Sequence, residues 1–335
     1  MMKYYNIPIF VPHKGCNYDC VFCNQKHITG EDLEVNEVYI KETVEKYLKT
    51  LPSTDRKIEI AFFGGSFTGI DFFMQRQFLS TAYEYVKNNV IDGIRLSTRP
   101  DYIDEKILNQ LLEFGVTTIE LGVQSLDDEV LVKSNRGHSQ KDVIDAVNLI
   151  KKYPFSLGLQ MMTGLPGDNE EKALQTADKI IGLKPDFVRI YPTLVIKDTK
   201  LCQMYEKGEY TPQTVSDAVL LCKKLLLKFE AAGVEVIRVA LQTTDEISPG
   251  GAFVAGPYDA QFRELVEASI YYDKIINLLK NYDKRKVIVG VNTREISKAI
   301  GRCRKNIIDF DKTLGINVEI KGLDDVKKGE CIILD

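Results

Sequence analysis

Short apolar runs alternate with longer amphipathic stretches along most of this chain. The runs at 7–12, 57–63, 93–97, 117–121, 155–162 and 187–191 have strand composition. Between them, 37–51, 71–90, 104–114, 128–133 and 169–183 carry apolar residues at helical spacing. In 37–51 the apolar side is expected to be Val38, Val44, Tyr47, Leu48 and Leu51; in 104–114 it is Ile107, Leu108, Leu111 and Leu112. Ser139 and Asp142 are spaced as a helix N-terminal cap pair. Two more helices are expected near Cys202 and over 216–232. Six strand–helix units argue for α/β architecture, a parallel sheet with helices outside, and six units instead of eight make it a partial TIM-like (β/α)6 barrel.

After about Leu241 the alternation stops. Residues 248–256 are rich in Gly and Pro and read as a loop. A helix follows at 262–279, with apolar Phe262, Leu265, Val266, Ile270 and Ile275. Then come a strand at 287–291, one helix over 297–310, and short strands at 316–320 and 331–334. The expected division is a barrel over 1–245 and a small C-terminal α/β domain over 246–335.

Composition changes this picture little. The chain has 335 residues, 44% hydrophobic and 27% charged, with formal net charge −4, so no generic attraction to nucleic acid or anionic membrane is expected. No apolar run reaches membrane-spanning length and no leader opens the chain, so the expectation is a cytoplasmic protein without a membrane partner.

The candidate chemistry lies in HKGCNYDCVFCNQKHITG, from His13 to Gly30, just after the first strand. Cys16, Cys20 and Cys23 are spaced CxxxCxxC, with Phe22 directly before the last. Thiolates are the ligands of iron–sulfur clusters, and a full cubane takes four. Three suggest a cubane with one iron left open. The same cysteines with His13 or His27 would also make half or more of a zinc site. Disulfides are not expected in a long chain with seven cysteines and no leader. Cys202, Cys222, Cys303 and Cys331 read as small core hydrophobes.

CxxxCxxC with an aromatic before the last cysteine resembles the signature of the radical S-adenosylmethionine (SAM) enzymes. The resemblance implies a 4Fe-4S cluster on Cys16, Cys20 and Cys23, with Phe22 beside it. It also implies SAM bound at the open iron. One electron, from a donor such as flavodoxin or ferredoxin, would cleave it to methionine and a 5′-deoxyadenosyl radical.

The other unusual residues fall at strand ends, where parallel barrels collect their chemistry. FFGGSF, Phe62 to Phe67, places Gly64 and Gly65 where a ligand can approach the backbone; a tight strand-to-helix turn explains them equally well. The pair is similar to the family's GGE-like motif, which implies contact with the methionine amino group, although Ser66 replaces the usual third residue. LSTRPD, Leu96 to Asp101, ends the third strand and contributes Ser97. ELGVQS, Glu120 to Ser125, presents Gln124.

SNRGHS follows with Arg136, whose planar fork suits a carboxylate. In coproporphyrinogen-oxidase-like members the matching arginine implies a methionine-carboxylate contact for Arg136, and the matching polar residues imply ribose contacts for Gln124 and Gln160. Met161 and Met162 read as packing. Tyr191 ends the sixth strand, either facing the radical chamber or as a core tyrosine.

STRPDY, ELGVQS and RIYPTLVIKDT look like the radical domain of the Elongator catalytic subunit and its bacterial relatives. The likeness continues through AGPYDAQFRELVEASIYY. This chain departs in its cysteine spacing, leaves no room for that subunit's acetyltransferase domain, and enters the first strand without a basic extension. The leading expectation is a radical SAM enzyme whose substrate is RNA or a small molecule. The alternatives are a tRNA uridine modifier without its own acetyltransferase, and a non-enzymatic iron–sulfur or zinc module. Lys298, Arg302, Arg304 and Lys305 form a local cationic cluster. It either docks an anionic substrate or is balanced by Asp309, Asp311 and Glu319.

Overall fold

A computed structural model of the chain describes residues 3–11, 16, 19–24, 35–242, 244 and 247–334. Its packing forms two compact units, residues 1–213 with 228–257, and residues 214–227 with 258–335. A single cut near 245 does not describe this arrangement, because 214–227 is grouped with the later residues.

The first unit is built on strands β1 (Lys3–Val11), β2 (Arg56–Gly64), β3 (Gly93–Thr98), β4 (Val116–Gln124), β5 (Ser156–Thr163) and β6 (Phe187–Pro192). The two-residue β7 (Val195–Ile196) and then β8 (Glu235–Val239) follow. β1 to β6 and β8 form one parallel sheet in the order β1-β2-β3-β4-β5-β6-β8. β1 and β8 are its two edges, so the barrel is open. It has seven strands, one more than the apolar runs suggested. β8 was missed because its burial pattern, exposed–buried–partial–partial–buried, leaves no continuous apolar run. β7 pairs antiparallel with β9 (Phe253–Ala255), inside the stretch expected to be loop only.

The strands alternate between two faces. On β2, Ile58, Ile60 and Phe62 are buried on one face, and Phe62 stacks 6.5 Å from Phe78 of a neighbouring helix. The opposite face carries Glu59 and Phe63, and register continues it through Arg95, Glu120, Gln160 and Arg189. Helices α1 (Glu37–Leu48), α2 (Phe72–Lys87), α3 (Glu105–Glu113), α4 (Asp128–Lys133), α5 (Gln140–Ile150) and α6 (Glu170–Gly182) follow successive strands. Their starts are set by side-chain caps. Asp71, Asp104, Asp127 and Asn169 each accept first-turn amide hydrogens. Ser139 and Asp142 form the expected reciprocal box.

The expected apolar face of α1 is shifted: it buries Ile40 and Val44 while Val38 and Tyr47 are exposed. α3 buries Ile107, Leu108 and Leu111 as expected, with Gln110 buried and Leu112 exposed. The buried Gln110 amide nitrogen is answered, donating to Gln75 Oε1 at 2.9 Å, while its oxygen has no partner among the described residues. α7 (Lys200–Glu206) and α8 (Val215–Ala231) come after β7.

The second unit contains α9 (Phe262–Leu279), β10 (Lys286–Asn292), α10 (Ile296–Ile300), α11 (Lys305–Leu314), β11 (Asn317–Leu323) and β12 (Cys331–Leu334). β10 lies between β11, parallel, and β12, antiparallel. Val287, Val289, Val291 and Val318 pack against Tyr271, Ile275 and Phe310. The helix expected over 297–310 is broken. Gly301 sits at φ +73°, and Cys303 and Arg304 follow at φ 50° and 58°, conformations that end a right-handed helix. Asn306 pins the break by donating to Ala268 O at 2.9 Å and Ala299 O at 3.1 Å. Cys303 is consequently exposed and not a core residue, whereas Cys202 and Cys222 are buried as expected and Cys331 is partly covered. Among the described residues no helix is long and apolar enough to cross a membrane.

Candidate functional site

Cys20 and Cys23 are brought together by a tight turn in which Cys23 N–H donates to Cys20 O at 3.0 Å. The described part of this loop is tied down on both sides. Val21 N–H donates to Ser134 O at 3.0 Å, and Leu201 N–H donates to Val21 O at 2.7 Å. Asn135 Nδ2 donates to Asp19 O at 2.8 Å. Phe22 packs against an apolar cluster of Val21, Val195, Leu201, Cys202 and Tyr210. Cys16 Sγ lies 3.5 Å from Ser66 Oγ, so the first cysteine meets the Gly64–Gly65–Ser66 turn. Gly64 has φ +99°, and Gly65 N–H donates to Val11 O at 3.2 Å. Ser66, noted in the sequence as a departure, is therefore a neighbour of a candidate ligand. His13 and His27 lie outside the described residues.

Arg136 and Gln124 converge above Gly122. A Cβ on Gly122 would lie 2.8 Å from Arg136 Nη2 and 3.0 Å from Gln124 Nε2, so only glycine leaves room for both. Arg136 Nη2 donates to Gly122 O at 2.7 Å, and Nη1 lies 3.5 Å from Cys20 Sγ. Gln124 stands at a bulge in β4 with φ +65°. Two buried atoms here, Gln124 Oε1 and Arg136 Nε, have no hydrogen-bond partner among the described residues. Unpaired buried polar atoms are costly, and where several converge they mark a place for a ligand.

Beneath Arg136, Arg99 donates to Asp101 through two bonds of 2.9 Å and to Arg136 O at 2.6 Å. His138 Nε2 lies 3.2 Å from Val123 O. Burial first, then the fields of Arg136 and Arg99, push the His138 imidazole down to about 3, so it is neutral and Nε2 donates its hydrogen to that carbonyl.

A second set occupies the same sheet face. Gln160 Nε2 donates to Glu120 Oε2 at 2.9 Å and lies 3.4 Å from Ser97 Oγ, so two predicted residues meet. Glu120 is fully buried and also receives Arg189 and Arg95, each at 2.8 Å. Arg95 reaches Glu59 at 2.8 Å. Burial opposes ionisation of Glu59, but the Arg95 charge and hydrogen bonds from Thr117, Arg95 and Thr118 outweigh it and hold the carboxyl below its ordinary range. Arg189 Nη1 lies 3.4 Å from the Tyr191 hydroxyl, which burial pushes above its ordinary value. Sequence reasoning missed Glu59, Arg95, Glu120 and Arg189. The signal was there: β2, β3, β4 and β6 each carry a charge inside an apolar run, alternating in sign across the sheet and stepping along the strands by two residues at a time.

A separate cleft of about 520 Å³ is lined by Lys133, the 164–168 loop, Met204, Tyr210 and Gln213 among others. In it burial pushes Asp168 up to about 6. None of the predicted site residues lines it. The cationic cluster of the second unit is largely answered. Arg302 pairs with Asp259 at 2.7 Å, Lys305 with Asp309, and Lys298 with Glu267 and Glu295. Among the described residues no three His, Cys, Asp or Glu side chains converge on a point that one metal ion could fill. A cubane makes no such demand, since each of its thiolates holds a different iron. The donor set of three free thiols beside an anion-seeking guanidinium fits such a cluster.

Residues 10–180 match the model of the Radical SAM superfamily, and residues 185–272 match the Radical_SAM C-terminal domain. The chain is 34% identical over 185 residues to the tRNA uridine(34) acetyltransferase of Methanocaldococcus jannaschii, covering 49% of this chain and 34% of that protein. It is 30% identical over 199 residues to human Elongator complex protein 3, covering 53% of this chain and 36% of that one. The chain thus spans about a third of the length of these relatives. Among solved structures, the N-terminally truncated Elp3 of Methanocaldococcus infernus superposes with a TM-score of 0.62 at 24% identity, over 85% of this chain and 65% of that one. The two share the fold.

Proposed function

The chain belongs to the radical SAM superfamily, whose cofactors are a 4Fe-4S cluster and SAM, and from that premise we propose that Cys16, Cys20 and Cys23 hold the cluster. Gly64, Gly65, Gln124, Arg136 and Gln160 bind SAM beside it. When bound, the pair supplies a 5′-deoxyadenosyl radical through one-electron cleavage of the sulfonium. The observation that carries this reading is the convergence of Arg136 and Gln124 over Gly122, with Arg136 reaching Cys20 and two buried polar atoms left for a ligand.

The protein's own part is to position and exclude. Arg136 presents its fork to a carboxylate, and the backbone at Gly64 and Gly65, which carries no side chains, receives the amino group. Gln160 is held by Glu120 and Ser97 on the inner sheet face. The substrate enters beside Tyr191 and Arg189, which border that polar face. Phe22 serves by closing the loop against its apolar cluster.

Anaerobically reconstituted protein, given dithionite and SAM, is expected to release methionine and 5′-deoxyadenosine in equal amounts. Gly65→Val is expected to keep its iron while SAM affinity falls at least tenfold. Release of neither product by iron-loaded protein would defeat the proposal.

A second reading, action on tRNA uridine, is favoured by the identity with the tRNA uridine(34) acetyltransferase across the radical region. The paired cations of the second unit lend it no support. Addition of tRNA to the cleavage assay tests it, with a stimulated 5′-deoxyadenosine yield expected.

A further inference from the structure

Arg136 is 6% exposed, yet no carboxylate pairs with it among the described residues. Its contacts are one carbonyl, Gly122 O at 2.7 Å, and one thiol, Cys20 Sγ at 3.5 Å, with Nε left over. Nearby Arg99 is 1% exposed and is answered by Asp101. His138 contributes no charge near neutral pH, being held neutral. Among the described residues, the pocket wall therefore holds two buried guanidinium groups, of which Arg99 is answered by Asp101 and Arg136 by no carboxylate. A buried charge without a counter-charge is strongly unfavourable, so the wall is built for an anion. The group it touches is a cysteine sulfur, and three thiolates make a cubane assembly anionic overall.

We propose that Arg136 is a tuning residue for the cluster: its N–H to Cys20 Sγ and its buried charge raise the reduction potential before SAM arrives. Hydrogen bonds to the sulfurs and local net charge are two levers that set iron–sulfur potentials. Both stabilise the reduced cluster, which carries one more negative charge. The electron comes from an external one-electron donor, and no bond in the protein forms or breaks. This role is additional to any contact Arg136 makes with a SAM carboxylate.

Arg99 is the positioning residue. Its Nη2 donates to Arg136 O at 2.6 Å, while Asp101 accepts from Nε and from the same Nη2. This gives STRPDY a physical task. The strand-end arginine fixes the backbone from which Arg136 reaches the thiol.

The inference rests on Cys20 as a cluster ligand, and the two can fail separately. Cys20→Ala with full iron content would sink the ligand assignment. The tuning role is read by a dithionite titration followed by electron paramagnetic resonance, on anaerobically reconstituted full chain without SAM. Arg136→Met is expected to retain iron and to become at least tenfold harder to reduce at fixed potential, a fall of about 59 mV for one electron. Arg136→Lys, which keeps the charge but not the fork, should fall between. Arg99→Met should shift in the same direction by less.

An unshifted midpoint in iron-loaded Arg136→Met would overturn the proposal. So would a shift seen only with SAM present, because Arg136 would then act through SAM. If Arg136→Met cannot hold iron, the Lys variant decides. An unshifted midpoint there, or loss of iron there as well, makes Arg136 a support of the loop and not a tuning residue.

Discussion

In the first unit, Glu59, Glu120 and Arg189 lie buried and Arg95 partly buried on one sheet face, and they answer one another across its strands. In the second, the buried sheet face is Val287, Val289, Val291 and Val318, and its buried polar residues among those described are Glu295 and Asn306. Both solutions make a stable sheet, but they cost differently. Burying ion pairs loses hydration that mutual attraction only partly returns, and apolar replacements of similar shape are often as stable or more so. The valine face shows what this chain uses where packing alone is required. The ionic face of the barrel is therefore read as a chamber wall, polar for the sake of what enters it.

The contrast breaks most sharply at Glu120. Glu120→Ala leaves Arg95 and Arg189 facing each other with one carboxylate fewer. Unfolding of the metal-free protein in urea should show a loss of ~3–5 kcal/mol. A loss under ~1 kcal/mol would mean that the arginines escape to water and the wall is not a closed ionic lattice.

Next in size is an acid effect confined to the first unit. The His138 value is depressed from 6.5 to about 3 in the fold. Below 6.5 the unfolded chain takes up a proton that the folded chain refuses, so this stability, full above 6.5, is lost as pH falls toward 3. The slope is up to ~1.4 kcal/mol per pH unit. His138→Gln, whose amide can still donate to Val123 O, should flatten the stability profile between pH 6 and 4. An unchanged profile would show that the imidazole is free to protonate in place.

These two effects depend on residues whose role could not be read from local pattern. Much else could. The capping pair Ser139–Asp142 and the bounds of the helices at 128–133 and 262–279 are local, set by caps and periodicity, and they stand as expected. The lattice is nonlocal, because each charge is neutralised by a strand some 25 to 69 residues away. Within any one strand it looks like an isolated fault in an apolar run. The β7–β9 pair is equally nonlocal, joining a two-residue strand to one past position 250. At the site, the sequence supplied Cys20, Gln124 and Arg136 but not their convergence. That depends on the bulge at Gln124 and on the missing Cβ of Gly122.

In the second unit, Tyr271 OH donates to Glu295 at 2.6 Å, and Gly329 N–H donates to the same carboxylate at 2.7 Å. Tyr271→Phe should cost ~1–2 kcal/mol in urea unfolding by leaving part of that carboxylate unanswered. A cost matching Glu120→Ala would erase the distinction between the units. Smallest of all is Lys305→Ala, which removes an exposed pair with Asp309 and should leave the unfolding midpoint in place. A marked drop would mean that surface charges carry weight in the small unit.

The central claim is that the cysteine loop carries a cubane, and iron and acid-labile sulfide in anaerobically purified protein test it most directly. Wild type should hold about four of each per chain, against a small fraction of that in Cys16→Ala, Cys20→Ala and Cys23→Ala. One zinc per chain with no sulfide, or wild-type iron retained in Cys20→Ala, would contradict it.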